Sequence, residues 1–244
     1  MTYLAIIVLG LLAGWLVNYL SDVLPATRSF SRPTCPNCNQ AYSLFEYLSL
    51  VPCHSCGRKR GWRTYLTQAI LLAATVLLWI HPSSRLGFWL AYILLIYLGV
   101  VFVIDVEHRL ILHPVSITGA LLGLGIGTYI HDLPTTLIGG AVGFAFMLVL
   151  YYFGEVFARY MSKRRGETLD EVALGFGDVN LAGVVGLLLG WPLVIFGLLF
   201  TLLVGGFFSL IYVVIMLIRK KYQAFTAIPY APFLIFSVLY ALFR

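Results

Sequence analysis

Read for its hydrophobic and polar positions, the chain is a series of long apolar runs separated by short polar connections. A membrane-crossing helix needs about 20 mostly apolar residues. Eight runs have that character: 3–20, 64–81, 87–104, 114–131, 135–153, 174–190, 192–218 and 228–243. The sixth is short and carries Gly175, Gly177 and Asp178, and Gly190-Trp191-Pro192 divides it from the seventh. The pattern predicts an all-α polytopic membrane bundle of about eight transmembrane helices. It divides into a first transmembrane helix (1–20), a cysteine-rich loop (21–63) and a seven-helix membrane core (64–244). Met1 to Leu20 lacks a basic stretch before the apolar run and a small-residue cleavage site after it, so it reads as a retained helix.

Composition agrees. Hydrophobic residues make up 61% of the 244 residues and charged ones 11%, whereas soluble domains are about 45–50% apolar and about 25% charged. The net charge of +6 does not indicate nucleic acid, because the basic residues border the apolar runs. Loops 21–63, 105–113, 154–173 and 219–227 hold 14 of the 16 Lys and Arg, with only Arg85 and Arg244 on the other side. Basic short loops stay in the cytoplasm, so both termini are expected outside it. Gly119, Gly123 and Gly127, and Gly139 and Gly143, recur at four-residue spacing. Small residues on one face let helices approach closely in lipid, which is a packing feature.

All four cysteines lie in the first expected cytoplasmic loop, as Cys35-Pro-Asn-Cys38 and Cys53-His-Ser-Cys56. Two CxxC pairs separated by a short loop suit a tetrahedral zinc site. A loop of this size has little core, and metal binding would supply folding energy. Disulfides are at odds with a reducing cytoplasm, and redox CxxC motifs usually come singly on a βαβ framework. His54 lies between two ligands and is an alternative donor, but four sulfurs complete the site without it.

Two ionisable residues stand at the edges of apolar runs, and such residues invite functional explanation. Asp105 ends the third run and Asp178 begins the sixth. The charge pattern places both at the cytoplasmic interface, where they can meet. Two facing carboxylates near lipid do not readily ionise together, so one keeps its proton. The charged partner can then take a proton from water while the neutral one polarises a peptide carbonyl, which is aspartyl-protease chemistry. The glycines before Asp178 would admit a substrate backbone or an irregular helix start. The competing reading is that each aspartate caps a helix or pairs with an arginine. Glu107, His108, His113, Glu155 and Lys163-Arg164-Arg165 read as solvated interface.

These residues resemble a family. Gly175-Phe176-Gly177-Asp178 resembles the GxGD signature of intramembrane aspartyl proteases. Ile104-Asp105, followed by an apolar pair and a proline, resembles the first aspartate motif of type IV prepilin peptidases. The paired CxxC loop is similar to the cytoplasmic zinc loop of the bacterial members, and Ile228-Pro229-Tyr230-Ala231-Pro232-Phe233 resembles the family's closing helix entry. The resemblance implies a bacterial inner-membrane enzyme that removes the leader of prepilins or pseudopilins on the cytoplasmic side, in type IV pilus, type II secretion or competence systems. It makes Asp105 and Asp178 the catalytic pair and Cys35, Cys38, Cys53 and Cys56 the zinc ligands. The implied partners are the prepilin substrate and the lipid bilayer.

Many bacterial members also methylate the new N-terminus with S-adenosylmethionine. Three departures bear on these implications. Leu112-His113 stands where the family has Pro-Asp, Asn180 stands where it has Lys, and Asn18 to Pro25 matches its N-terminal pattern only loosely. The last leaves the methyltransferase activity open. Two other readings are a non-catalytic assembly protein on the same scaffold and a membrane thiol oxidoreductase using the CxxC pairs.

Overall fold

A computed structural model describes residues 2–165, 175–219 and 229–243. Met1, Ile228 and Arg244, named above, lie outside the described residues, as do the side chains of Lys163, Arg164 and Arg165. Among the described residues the structure is helical, apart from one isolated β-bridge between Thr34 and Ala41. The elements are α1 (Thr2–Thr27), α2 (Leu44–Leu48), α3 (Trp62–Ile80), α4 (Gly87–His108), α5 (His113–Ile130), α6 (Leu133–Arg165), α7 (Phe176–Leu189), α8 (Leu193–Ile218) and α9 (Ala231–Phe243). Apart from the five-residue α2, they match the eight expected runs.

Five of them, α1, α3, α4, α6 and α8, include stretches long and apolar enough to cross a membrane, whereas α7 and α9 are apolar but shorter. Two boundaries differ from expectation. α6 does not stop near residue 153 but continues through the expected loop to Arg165, where the Arg159–Glu155 pair at i,i+4 supports the polar turns. α1 runs past residue 20 to Thr27. Pro25, near its end, has no N–H to give the Ser21 carbonyl, so this extension lacks one helical hydrogen bond.

The helices fall into two compact units. One comprises residues up to Ser83 together with Gly87–Ile104; the other comprises Ser84–Leu86 and the chain from Asp105 onward. In the first, α1 packs along α3. A Cβ on Gly10 would come within 2.8 Å of Leu72, and one on Gly14 within 2.6 Å of Gln68, so the two backbones lie close. Buried polar side chains bridge them. Gln68 donates to the Leu11 carbonyl at 2.9 Å and Asn18 to the Thr64 carbonyl at 3.2 Å. Such bonds hold helices together where lipid provides no hydrophobic drive.

In the second unit α7 is the central strut, packed against α5, α6, α8 and α9. Val179, Leu181, Ala182, Val185, Leu188 and Leu189 are all essentially inaccessible. The glycine spacing read from the sequence has its cause here. Side chains at Gly127, Gly139 or Gly143 would run into the backbone of α7, at Leu187, Gly186 and Ala182 respectively. Gly190, at φ 67°, ends α7 in a left-handed conformation suited to glycine.

Candidate active site and metal centre

The second unit brings Asp105 and Asp178 into electrostatic reach of each other. Asp105, in the last turn of α4, is 4% exposed. It accepts a hydrogen bond from the Ala231 N–H at 3.2 Å, at the start of α9. Asp178, in the first turn of α7, accepts one from the Gly175 N–H at 3.1 Å. Both carboxylates thus meet helix N-termini, where the helix dipole favours negative charge. Both acids thus bond a helix-terminal N–H, as the competing reading had it, and they also lie within electrostatic reach of each other. The charge on Asp105 acts on Asp178, and that on Asp178 acts on Tyr230. Tyr230-Ala231 is therefore a shared neighbour of both acids.

The second motif glycine explains how the pair is assembled. A Cβ on Gly177 would lie 2.7 Å from the Ile111 Cβ and 3.3 Å from the Ile111 backbone N and O. The chain that follows Asp105 thus packs directly on the first turn of α7. The sequence reading assigned these glycines to substrate approach or an irregular helix start. At Gly177 the close neighbour is the chain's own Ile111. A Cβ on Gly175 would meet only the Asp178 carboxylate, at an ordinary 3.5 Å. Glu107 and His108 are exposed, as expected.

A cavity of about 550 Å³ opens between α5, α6 and α7, within the size range of ligand pockets. Ile117, Phe144 and Leu187 line it, with Ser116, Phe176 and Asn180. Phe176 and Asn180 lie two residues either side of Asp178, on another face of α7, and neither acid lines the groove. The Ser116 Oγ is buried without a hydrogen-bond partner. His113, read from sequence as solvated interface, also borders this groove.

In the first unit the four cysteines converge. Their sulfurs all lie within 4.8 Å of one another, with Cys35–Cys56 at 3.6 Å and Cys38–Cys53 at 3.7 Å. A zinc tetrathiolate with bonds of about 2.3 Å has sulfur–sulfur edges of about 3.8 Å, so the donors fit such an ion. None is in a disulfide. The two CxxC segments form matching knuckles. Cys35 N–H donates to the Gln40 carbonyl at 2.8 Å and Cys53 N–H to the Arg58 carbonyl at 3.0 Å. Asn39 and Gly57 follow each pair at φ 55° and 67°. The Asn37 and Cys38 N–H groups donate to the Cys35 sulfur and lower its pKa, while the neighbouring cysteines raise that of Cys38, as befits thiols that share charge at close range.

A network that sequence reasoning missed fastens this loop to its helices. Tyr47 donates to Asp22 at 2.6 Å, Arg63 pairs with Asp22, and Arg63 also donates to Asn18 at 3.2 Å. The Arg60 guanidinium stacks on the rings of Tyr42 and Tyr47, 3.7 and 4.4 Å from their centroids. The available signal was a lone acid just beyond the first apolar run and an arginine just before the second.

A model of the Type IV leader peptidase family matches residues 89–210, half of the chain. The chain is 27% identical over 215 residues to the prepilin leader peptidase/N-methyltransferase of Myxococcus xanthus, covering 82% of this chain and 59% of that one. It is 31% identical over 174 residues to the protein of the same name from Pectobacterium carotovorum, covering 65% and 56%. With that from Legionella pneumophila it shares 28% over 225 residues, covering 87% and 72%. The chain thus spans under two thirds of the length of the first two relatives. No solved structure matches it. With helices suited to a multi-pass membrane protein, two converging aspartates and a matching family model, the chain belongs to the type IV leader peptidase family.

Proposed function

We propose that this protein is an intramembrane aspartic endopeptidase that removes the leader of prepilins or pseudopilins, with Asp105 and Asp178 as its catalytic pair. The observation that carries this reading is that Asp178 and Asp105, which accept from the N-terminal N–H groups of α7 and α9, lie within electrostatic reach of each other. One carboxylate, ionised, takes a proton from water as its oxygen attacks the scissile carbonyl carbon. The other, protonated, donates to the carbonyl oxygen. The tetrahedral intermediate then collapses, the C–N bond breaks, and a proton passes to the departing amine. The groove between α5, α6 and α7 would hold the apolar segment of the substrate, leaving the polar leader in the cytoplasm.

The cysteine cluster is read as a structural zinc centre held by Cys35, Cys38, Cys53 and Cys56. The location is the bacterial inner membrane, with both termini outside the cytoplasm by the distribution of basic residues. The relatives' names include N-methyltransferase. Whether this chain methylates with S-adenosylmethionine is read from the mass of the product.

The test is co-expression with a prepilin, following the size and N-terminal mass of the product. Wild type cleaves, while Asp105→Asn and Asp178→Asn insert into the membrane but do not. Cleavage by either variant at the wild-type rate overturns the pair. Absence of cleavage by all three, across diverse prepilins, favours a non-catalytic assembly protein on the same scaffold.

A further inference from the structure

The segment between α1 and α3 has two features that neither the acids nor the four sulfurs use. The first is exposed apolar surface. Leu44 and Phe45, in α2, are 81% and 79% exposed, Trp62 at the start of α3 is 77%, and Phe30 just beyond α1 is 80%. The second is unbalanced charge. Residues 21–63 contain Arg28, Arg32, Arg58, Lys59, Arg60 and Arg63 against only Asp22 and Glu46. Both acids are engaged locally. Asp22 is bound by Arg63 and Tyr47. Glu46 accepts from the Ser43 N–H at 2.9 Å, which holds its carboxyl below the usual range. Neither is directed at Arg28, Arg32, Arg58 or Lys59.

The position of this surface is fixed by its tethers. Tyr47 bonds Asp22 in the final turns of α1, and the Tyr65 hydroxyl, in the first turn of α3, donates to the Leu50 carbonyl at 3.3 Å. α1 and α3 both have the length and hydropathy of membrane spans. α2 is therefore held beside the loop-side ends of two candidate spans. Its buried Tyr47 faces the cysteine cluster's aromatic core, and Leu44, Phe45 and Leu48 are left outside.

We propose that this segment lies on an anionic membrane surface. Leu44, Phe45 and Trp62 sit among the headgroups, and Arg28, Arg32, Arg58 and Lys59 contact lipid phosphates. Aromatic residues and basic clusters are what an interfacial segment requires, and the attraction grows with the negative charge of the leaflet. The lipid surface thereby holds the cysteine loop in the membrane plane. This inference does not depend on the proposed proteolysis.

The test uses the full-length protein in nanodiscs, with Phe45 replaced by the photo-crosslinking residue p-benzoylphenylalanine. In discs of phosphatidylethanolamine and phosphatidylglycerol, illumination gives lipid adducts at this position by mass spectrometry. The yield falls in neutral phosphatidylcholine discs, and Arg58→Gln with Lys59→Gln lowers it in anionic discs. Retained protection of the cysteines from alkylation in the presence of zinc shows that the loop stays folded in each form, and the same probe at Leu44 gives an independent reading. Adducts only to protein, no adducts at either position, or a yield indifferent to lipid charge overturns the proposal.

Discussion

Replacing Gly177 by alanine isolates the packing that sets one acid against the other. The added carbon would lie 2.7 Å from the Ile111 Cβ, whereas carbon atoms rest about 3.5–4.0 Å apart. A rotamer change at Ile111 does not relieve this, because its backbone N and O are also only 3.3 Å away. The segment after Asp105 and the first turn of α7 must separate by about 1 Å, and a misplacement of that size costs roughly 100-fold in rate at an active site. The fold survives. Overpacking costs about 1–3 kcal/mol, and alanine returns about 1 kcal/mol of helix propensity. Gly175→Ala is the control, since its added carbon meets only the Asp178 carboxylate at 3.5 Å. Initial rates of prepilin cleavage by purified protein in nanodiscs should fall about 100-fold for Gly177→Ala and stay near wild type for Gly175→Ala. Wild-type cleavage by Gly177→Ala, or a loss confined to Gly175→Ala, would refute the reasoning.

Other consequences are open to measurement. The purified protein should carry one zinc per chain, and Cys38→Ser or Cys56→Ser should lose it; metal analysis that finds these variants still fully loaded argues against the tetrathiolate. Tyr47→Phe removes the hydroxyl that donates to Asp22, a bond to a charged acceptor worth about 1.5–3 kcal/mol. Zinc transfer to a competing chelator should then quicken by about ten-fold or more, and an unchanged rate would show that the loop is held by other contacts. Ala120→Leu with Ala141→Leu fills the groove between α5, α6 and α7 from its exposed side. It should slow cleavage of a full prepilin much more than it lowers thermal stability, and equal cleavage would remove the groove from substrate binding.

The helical plan was legible because each apolar run is long and nearly free of charge, so its meaning depends on no distant residue. The two departures arise where that signal stops. Beyond residue 153, α6 is sustained by the Glu155–Arg159 pair, which adds nothing to hydropathy, and the last turns of α1 include Asp22 and a proline. The aspartate pair was legible through charge placement, since basic loops put both acids on one face. The reason for Gly177 was not, because it lies with Ile111, more than sixty residues earlier in the chain. The tethering of the cysteine loop was hidden in the same way. Asp22, Tyr47 and Arg63 each look like ordinary interfacial residues until the fold places them together.

The shortness of α7 has a consequence for water. Fourteen residues rise about 21 Å at 1.5 Å each, well short of a hydrocarbon layer about 30 Å thick. Such a mismatch is met by thinning the bilayer or by recessing one end of the helix. From Val179 onward most of α7 is enclosed by its neighbours, so lipid does not reach its flanks. A recessed start would put Asp178 below the level of the surrounding headgroups, within reach of the aqueous side. The proposed hydrolysis consumes a water molecule at each turnover, and a recessed central helix would give that water a way in without any moving gate.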